Sequence, residues 1–163
     1  MKPIRTLFCS ILATLALLCP SVGVAENHSS PTLLTIEGAG SKTQTLTYDM
    51  LRDLPMVDYQ TTTIWTDGIQ KFQGVPLKAL LADMAHGMSE VKATAVNDYA
   101  VSIPLSEIND EAPIIAYKVN DKRMTLRGKG PLWLVYPYDR SSQYRSEIVY
   151  SRSIWQLTRL QLN

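Results

Sequence analysis

The sequence predicts an α+β fold, mostly β, and three observations carry that prediction. Many short stretches are rich in β-branched and aromatic residues, such as Tyr59–Trp65 and Leu132–Tyr136. Turn dipeptides separate them, among them Asp67-Gly68, Asn97-Asp98 and Asn120-Asp121. Only Val75–Ala85 sustains an apolar face at helical spacing.

Lys2 and Arg5 give a short positive start, followed by an apolar stretch from Leu7 to Leu18. Pro20 and Gly23 interrupt it, and Ala25 follows. This three-part pattern is that of a cleavable secretory signal spanning residues 1–25, with Glu26 as the new N-terminus. The rival reading is a membrane anchor, but the run of about 12 apolar residues falls short of the ~20 that a span needs. Lys2 and Arg5 are separated, so there is no twin-arginine pair. The general secretion route is therefore expected, which carries unfolded chains without a preinstalled large cofactor.

Residues 26–163 are expected to form one domain. Both cysteines, Cys9 and Cys19, fall inside the export segment. The remainder then has no disulfide, no thiolate metal ligand and no thiol nucleophile, and must rest on its core. Without Lys2 and Arg5, 14 of the 16 basic residues remain against 15 acidic ones, a net charge of −1. Nothing in that balance suits nucleic acid or an acidic membrane surface, and no later segment is apolar enough to span a bilayer.

Along this domain, Leu33, Leu34 and Ile36 predict a strand ending at Gly38-Ala39-Gly40, with Thr45–Tyr48 resuming it. Asp49–Leu54 reads as a short helix stopped by Pro55. Tyr59–Trp65 is a predicted strand, with Asp67-Gly68 as a hairpin tip. In Val75–Ala85, Pro76 suits a first helical turn, Leu77, Leu80, Leu81 and Met84 make one face, and Gly87 suits a left-handed cap. Val91–Val96 and Tyr99–Ile103 read as paired strands, and Pro104–Ile108 as a loop or single helical turn. Ile114–Val119 is a further strand, and Leu132–Tyr136 a central one buried on both faces. Ser141–Ser151 reads as a loop with a helical turn, and Ile154–Leu162 alternates as the closing strand.

The usual catalytic constellations are missing. Gly128-Lys129-Gly130 runs into Pro131 and lacks the strand–loop–helix setting of a phosphate loop. No serine stands in a nucleophile elbow. His28 and His86 are too isolated for a metal site or a catalytic dyad, and His86 reads as a charge partner for a helix C-terminus.

Three ordered stretches carry a resemblance. They are Gly74-Val75-Pro76-Leu77 with the helix after it, Asn97-Asp98-Tyr99 with the strand after it, and Gly128-Lys129-Gly130-Pro131-Leu132-Trp133-Leu134-Val135-Tyr136-Pro137. With the closing Ser153-Ile154-Trp155-Gln156-Leu157, their order and spacing resemble the molybdopterin-binding domain of the sulfite oxidase family, over roughly residues 32 to 162. The short, stand-alone exported members look most similar. The resemblance implies that family's mixed sheet with a few short helices, a periplasmic location and a cofactor cleft. It also brings departures. The family's molybdenum-binding cysteine falls at about Thr62, whose hydroxyl is a hard, protonated oxygen where a soft thiolate is wanted. The arginine of the family's Pro-Leu-Arg becomes Trp133, removing a charged fork suited to phosphate or sulfite.

Fold kept and molybdenum chemistry lost is the expectation: a non-catalytic exported domain with no bound cofactor, binding a small anionic or pterin-like ligand or a periplasmic protein in the old cleft. The residues placed there are Thr62, Trp65, Asp98, Tyr99, Arg127 and Lys129. Trp65 and Tyr99 would stack on a flat ring, and Arg127 and Lys129 would meet an anionic group. Each also has a plainer role, the aromatics as core and the charges as solvated turn residues. One alternative is a periplasmic molybdopterin-dependent oxidoreductase with an atypical metal site. Another is a β-rich interaction adaptor using Tyr136, Tyr138, Tyr144 and Tyr150 beside Arg140 and Arg145.

Overall fold

The computed structural model describes residues 30–163, so the expected export segment lies outside the described residues. Two five-stranded sheets make up the fold, with short helices at their margins. The described residues open on β1 (Thr32–Glu37), which reverses through a tight turn and returns as β2 (Thr43–Thr47). Gly38 N donates to Lys42 O at 2.8 Å, and Gly40 takes the left-handed conformation that this reversal needs. The two predicted segments are thus the arms of a hairpin. Helix α1 (Tyr48–Arg52) follows, its Thr47 cap accepting from Met50 N.

Strands β3 (Val57–Thr63) and β4 (Thr66–Pro76) form the next hairpin. Its tip is Ile64-Trp65, not the expected Asp67-Gly68, which lies inside β4. Thr63 pairs with Thr66, and their hydroxyls meet at 2.7 Å across the base of the turn. Trp65 therefore leaves the predicted strand and sits on the tip.

The predicted Val75–Ala85 helix shortens to α2 (Leu77–Leu81), with looser turns reaching Ala85 through Ala85 N to Leu81 O at 2.9 Å. Val75 and Pro76 end β4, paired with Ile115 and Ile114. The reason is steric: proline pushes the residue before it to extended backbone, and both residues are buried. Gly87 takes a left-handed conformation, but α2 ends at Leu81 with Ala82 as its C-cap, so Gly87 does not cap the helix as expected.

Strands β5 (Glu90–Ala95) and β6 (Ala100–Pro104) pair across Asn97-Asp98 as expected. Beyond them come β7 (Ile114–Val119), a two-residue β8 (Lys122–Arg123) and β9 (Trp133–Val135). A single helical turn at Ser142–Tyr144 and helix α3 (Glu147–Arg152) precede β10 (Leu157–Leu162).

The first sheet runs β2-β1-β10-β5-β6, with β1 and β10 parallel and the other pairs antiparallel. The second runs β3-β4-β7-β8, with β9 also on β7. The last strand of the chain thus lies at the centre of the first sheet. A register shift between Leu157 and Arg159 lets Leu157 and Leu160 both face the core. Strand β9 joins the two sheets. It pairs with β7, while Leu134 N donates to Ile154 O at 2.9 Å and Leu157 N to Leu132 O at 3.1 Å. Leu132–Tyr138 is buried throughout, matching the central strand read from the sequence. No helix among the described residues is long and apolar enough to cross a membrane.

Candidate binding cavity

Where the two sheets meet, five aromatic side chains gather from four parts of the chain. Trp65 comes from the β3–β4 tip, Trp133 from β9, Tyr138 and Tyr150 from the segment after β9, and Trp155 from the approach to β10. The Trp65 ring centroid lies 5.9 Å from Trp133, 6.3 Å from Tyr138, 5.8 Å from Tyr150 and 5.6 Å from Trp155. Every one of these contacts is edge-to-face, the geometry that the ring quadrupoles favour. Trp133 and Tyr138 are core, at 1% exposure each, whereas Trp155 keeps 37% of its surface open.

Beside this cluster is a cavity of about 490 Å³, within the range of small-molecule sites. Trp65, Tyr99, Tyr150 and Trp155 give its aromatic wall, and Asn97, Glu147, Ser151 and Ser153 its polar groups. Tyr99 is held there by its hydroxyl, which donates to Ser151 O at 3.2 Å and ties the β5–β6 turn to α3. Glu147 opens α3, whose Ser146 cap accepts from Val149 N. The Glu147 carboxylate joins none of the ion pairs among the described residues.

Two of the six sequence-predicted residues, Trp65 and Tyr99, line this cavity. Lys129 is next to it. Its ammonium lies 5.8 Å from the Trp133 ring centroid and 6.0 Å from that of Trp155, at the edge of cation–π range. The loop is clamped there by Gln156, whose N–H donates to Lys129 O and whose side-chain amide donates to Leu126 O at 2.8 Å. The other three do not line this cavity. Asp98 takes a left-handed turn conformation and borders a separate depression with Glu37 and Arg159. Arg127 is exposed on the loop after β8.

Thr62 is exposed on β3 and committed to Asp139. Its N–H and hydroxyl donate to the Asp139 carboxylate at 2.5 and 2.7 Å, and Asp139 N donates to the buried Thr61 hydroxyl at 3.0 Å. The two bonds from Thr62, the N–H foremost, hold the Asp139 carboxyl below the ordinary range. Of the Tyr136–Tyr150 segment, Arg140 and Arg145 are exposed, whereas two of its tyrosines are not available for contact. Tyr136 and Tyr138 are buried, and Tyr138 OH donates to Ser153 Oγ at 2.6 Å, so this segment ties the sheets together.

Sequence reasoning missed Glu147, Asp139 and the role of Trp155. Glu147 follows a capping serine and Trp155 sits in an alternating stretch, patterns that explain both residues without a site. Only the meeting of distant segments gives them one.

The donor set does not fit a thiolate-held molybdenum group. No cysteine occurs among residues 30–163. The Thr62 hydroxyl already donates to Asp139, and among the described residues no three His, Cys, Asp or Glu side chains are placed to share a metal. A phosphate-bearing pterin would meet Glu147 as the charged group of the cavity wall.

A family model described as the oxidoreductase molybdopterin binding domain matches residues 23–141. The chain belongs to this family. Its fold is similar to that in the crystal structure of the sulfane dehydrogenase SoxCD from Paracoccus pantotrophus, with a TM-score of 0.61 and 19% identity over 79% of this chain. That match covers 37% of the SoxCD chain, and identity at this level speaks to fold alone. No curated protein matches. The molybdopterin-binding family match ends before Glu147, Tyr150 and Trp155, so much of the cavity wall comes from beyond the matched segment.

Proposed function

We propose that this protein is an exported, periplasmic domain that uses the molybdopterin-binding fold to hold a ligand or partner group without redox catalysis. The cavity walled by Trp65, Tyr99, Tyr150 and Trp155 carries this reading, because it is a concave aromatic surface with polar groups on its margin. Support also comes from the position expected to hold the metal-binding thiolate, where Thr62 is paired with Asp139. The signal-like N-terminus supports export.

The test is to purify the protein from its native host, measure molybdenum by elemental analysis, and assay pterin by fluorescence after acid oxidation. Neither should be present in a folded sample. Near-stoichiometric amounts of both would replace this reading with a periplasmic molybdopterin-dependent oxidoreductase. Pterin without metal would make the domain a redox-silent cofactor carrier. N-terminal sequencing of the same sample should begin at Glu26.

A further inference from the structure

We propose that the aromatic cavity binds a small organic cation with an alkylated ammonium head. This rests on the cavity being the ligand site and names its ligand class. The first argument is charge. The charged side chain lining the cavity is Glu147, an anion with no ion-pair partner among the described residues. The two cations expected to attract an anion do not line it, since Arg127 is out on its loop and Lys129 faces Trp133 and Trp155.

The second argument is the wall. Tyr150 and Trp155 stand at 89° and 70° to Trp65, and Tyr99 adds a further ring from the β5–β6 turn. Differently oriented aromatic surfaces with electron-rich faces, plus one carboxylate, suit a diffuse positive charge. An alkylated ammonium is favoured over a bare one because it is weakly hydrated and its methyl groups gain from apolar contact. The Lys129 ammonium already stands 5.8 and 6.0 Å from the Trp133 and Trp155 ring centroids of this cluster. The third argument is size: about 490 Å³ accommodates a small molecule.

The probe is choline, compared with its uncharged isostere 3,3-dimethylbutan-1-ol, followed by tryptophan fluorescence on the folded, exported protein. Choline should bind saturably, and the alcohol about tenfold more weakly. Glu147→Gln should weaken choline about tenfold and leave the alcohol unchanged. Glu147 is exposed, so this variant should fold normally, and an unchanged thermal melt confirms that. Equal binding of choline and the alcohol would overturn the cation assignment while leaving the cavity as a ligand site. So would an unchanged choline affinity in Glu147→Gln. Absence of any choline binding to the folded protein would overturn it too, and stoichiometric molybdenum and pterin in that sample would remove the non-catalytic reading with it.

Discussion

Tyr138 and Asp139 are neighbours whose side chains differ in what they contribute. The Tyr138 hydroxyl donates to Ser153 Oγ, which in turn donates to Val149 O at 2.8 Å, all of it buried. Tyr138→Phe leaves that serine oxygen without its donor. The expected cost is about 1–2 kcal/mol, read as a lower denaturant midpoint at unchanged slope. Asp139 makes charge-assisted bonds in solvent, so Asp139→Asn should cost less than about 1 kcal/mol. Its carboxyl is held below its ordinary value of 3.8, so its contribution is full above that pH and fades as pH falls through the lowered one. The stability gap between the protein and Asp139→Asn should therefore narrow below pH 3.8. A gap that is constant with pH would show that Thr62 does not prefer the ionised form. Neither role was legible in the sequence, because Tyr138 and Asp139 find partners 15 and 77 residues away.

At the scale of elements, local chemistry placed most strands but missed β4 and β8 as strands. The Asn97-Asp98 turn and the buried run Leu132–Tyr136 stand where composition put them. Val75-Pro76 did not start a helix because the second sheet claims both residues as partners for Ile115 and Ile114. The Asp67-Gly68 signal for a turn lost to the pairing of Thr63 with Thr66. Gly74 explains part of this outcome. A Cβ there would lie 2.1 Å from Ile115 O and 2.6 Å from Ala116 Cα, both backbone atoms with no room to yield. Gly74→Ala should break the contact between β4 and β7 and cost about 3 kcal/mol, visible as a large drop in melting temperature. A melt within a degree or two of the parent would mean that the two strands can separate freely at this point.

For the whole molecule, the join between the sheets is aromatic, and that makes stability sensitive to alkali. Burial raises the phenol pKa of Tyr59, Tyr136 and Tyr138 above the ordinary 10.0. Tyr59 OH also donates to Val135 O at 2.5 Å, linking β3 to β9. The folded state therefore holds these protons more tightly than the unfolded chain. Stability should be unaffected below pH 10 and fall above it, at up to about 1.4 kcal/mol per pH unit for each such group. Denaturant midpoints at rising pH, with tyrosinate absorbance, check this; a flat profile past pH 11 would contradict it. Local pattern and residue type were enough for the fold class, most of the strands, the lack of cysteine beyond residue 19 and the family, but not for β4 or β8. Long-range packing brings Trp65, Tyr99, Tyr150, Trp155 and Glu147 to one cavity and leaves Thr62, Asp98 and Arg127 outside it. The physical reason is that a hairpin tip, a strand turn and a C-terminal helix converge through β9 and β10, and no local spacing records which distant segments pack together.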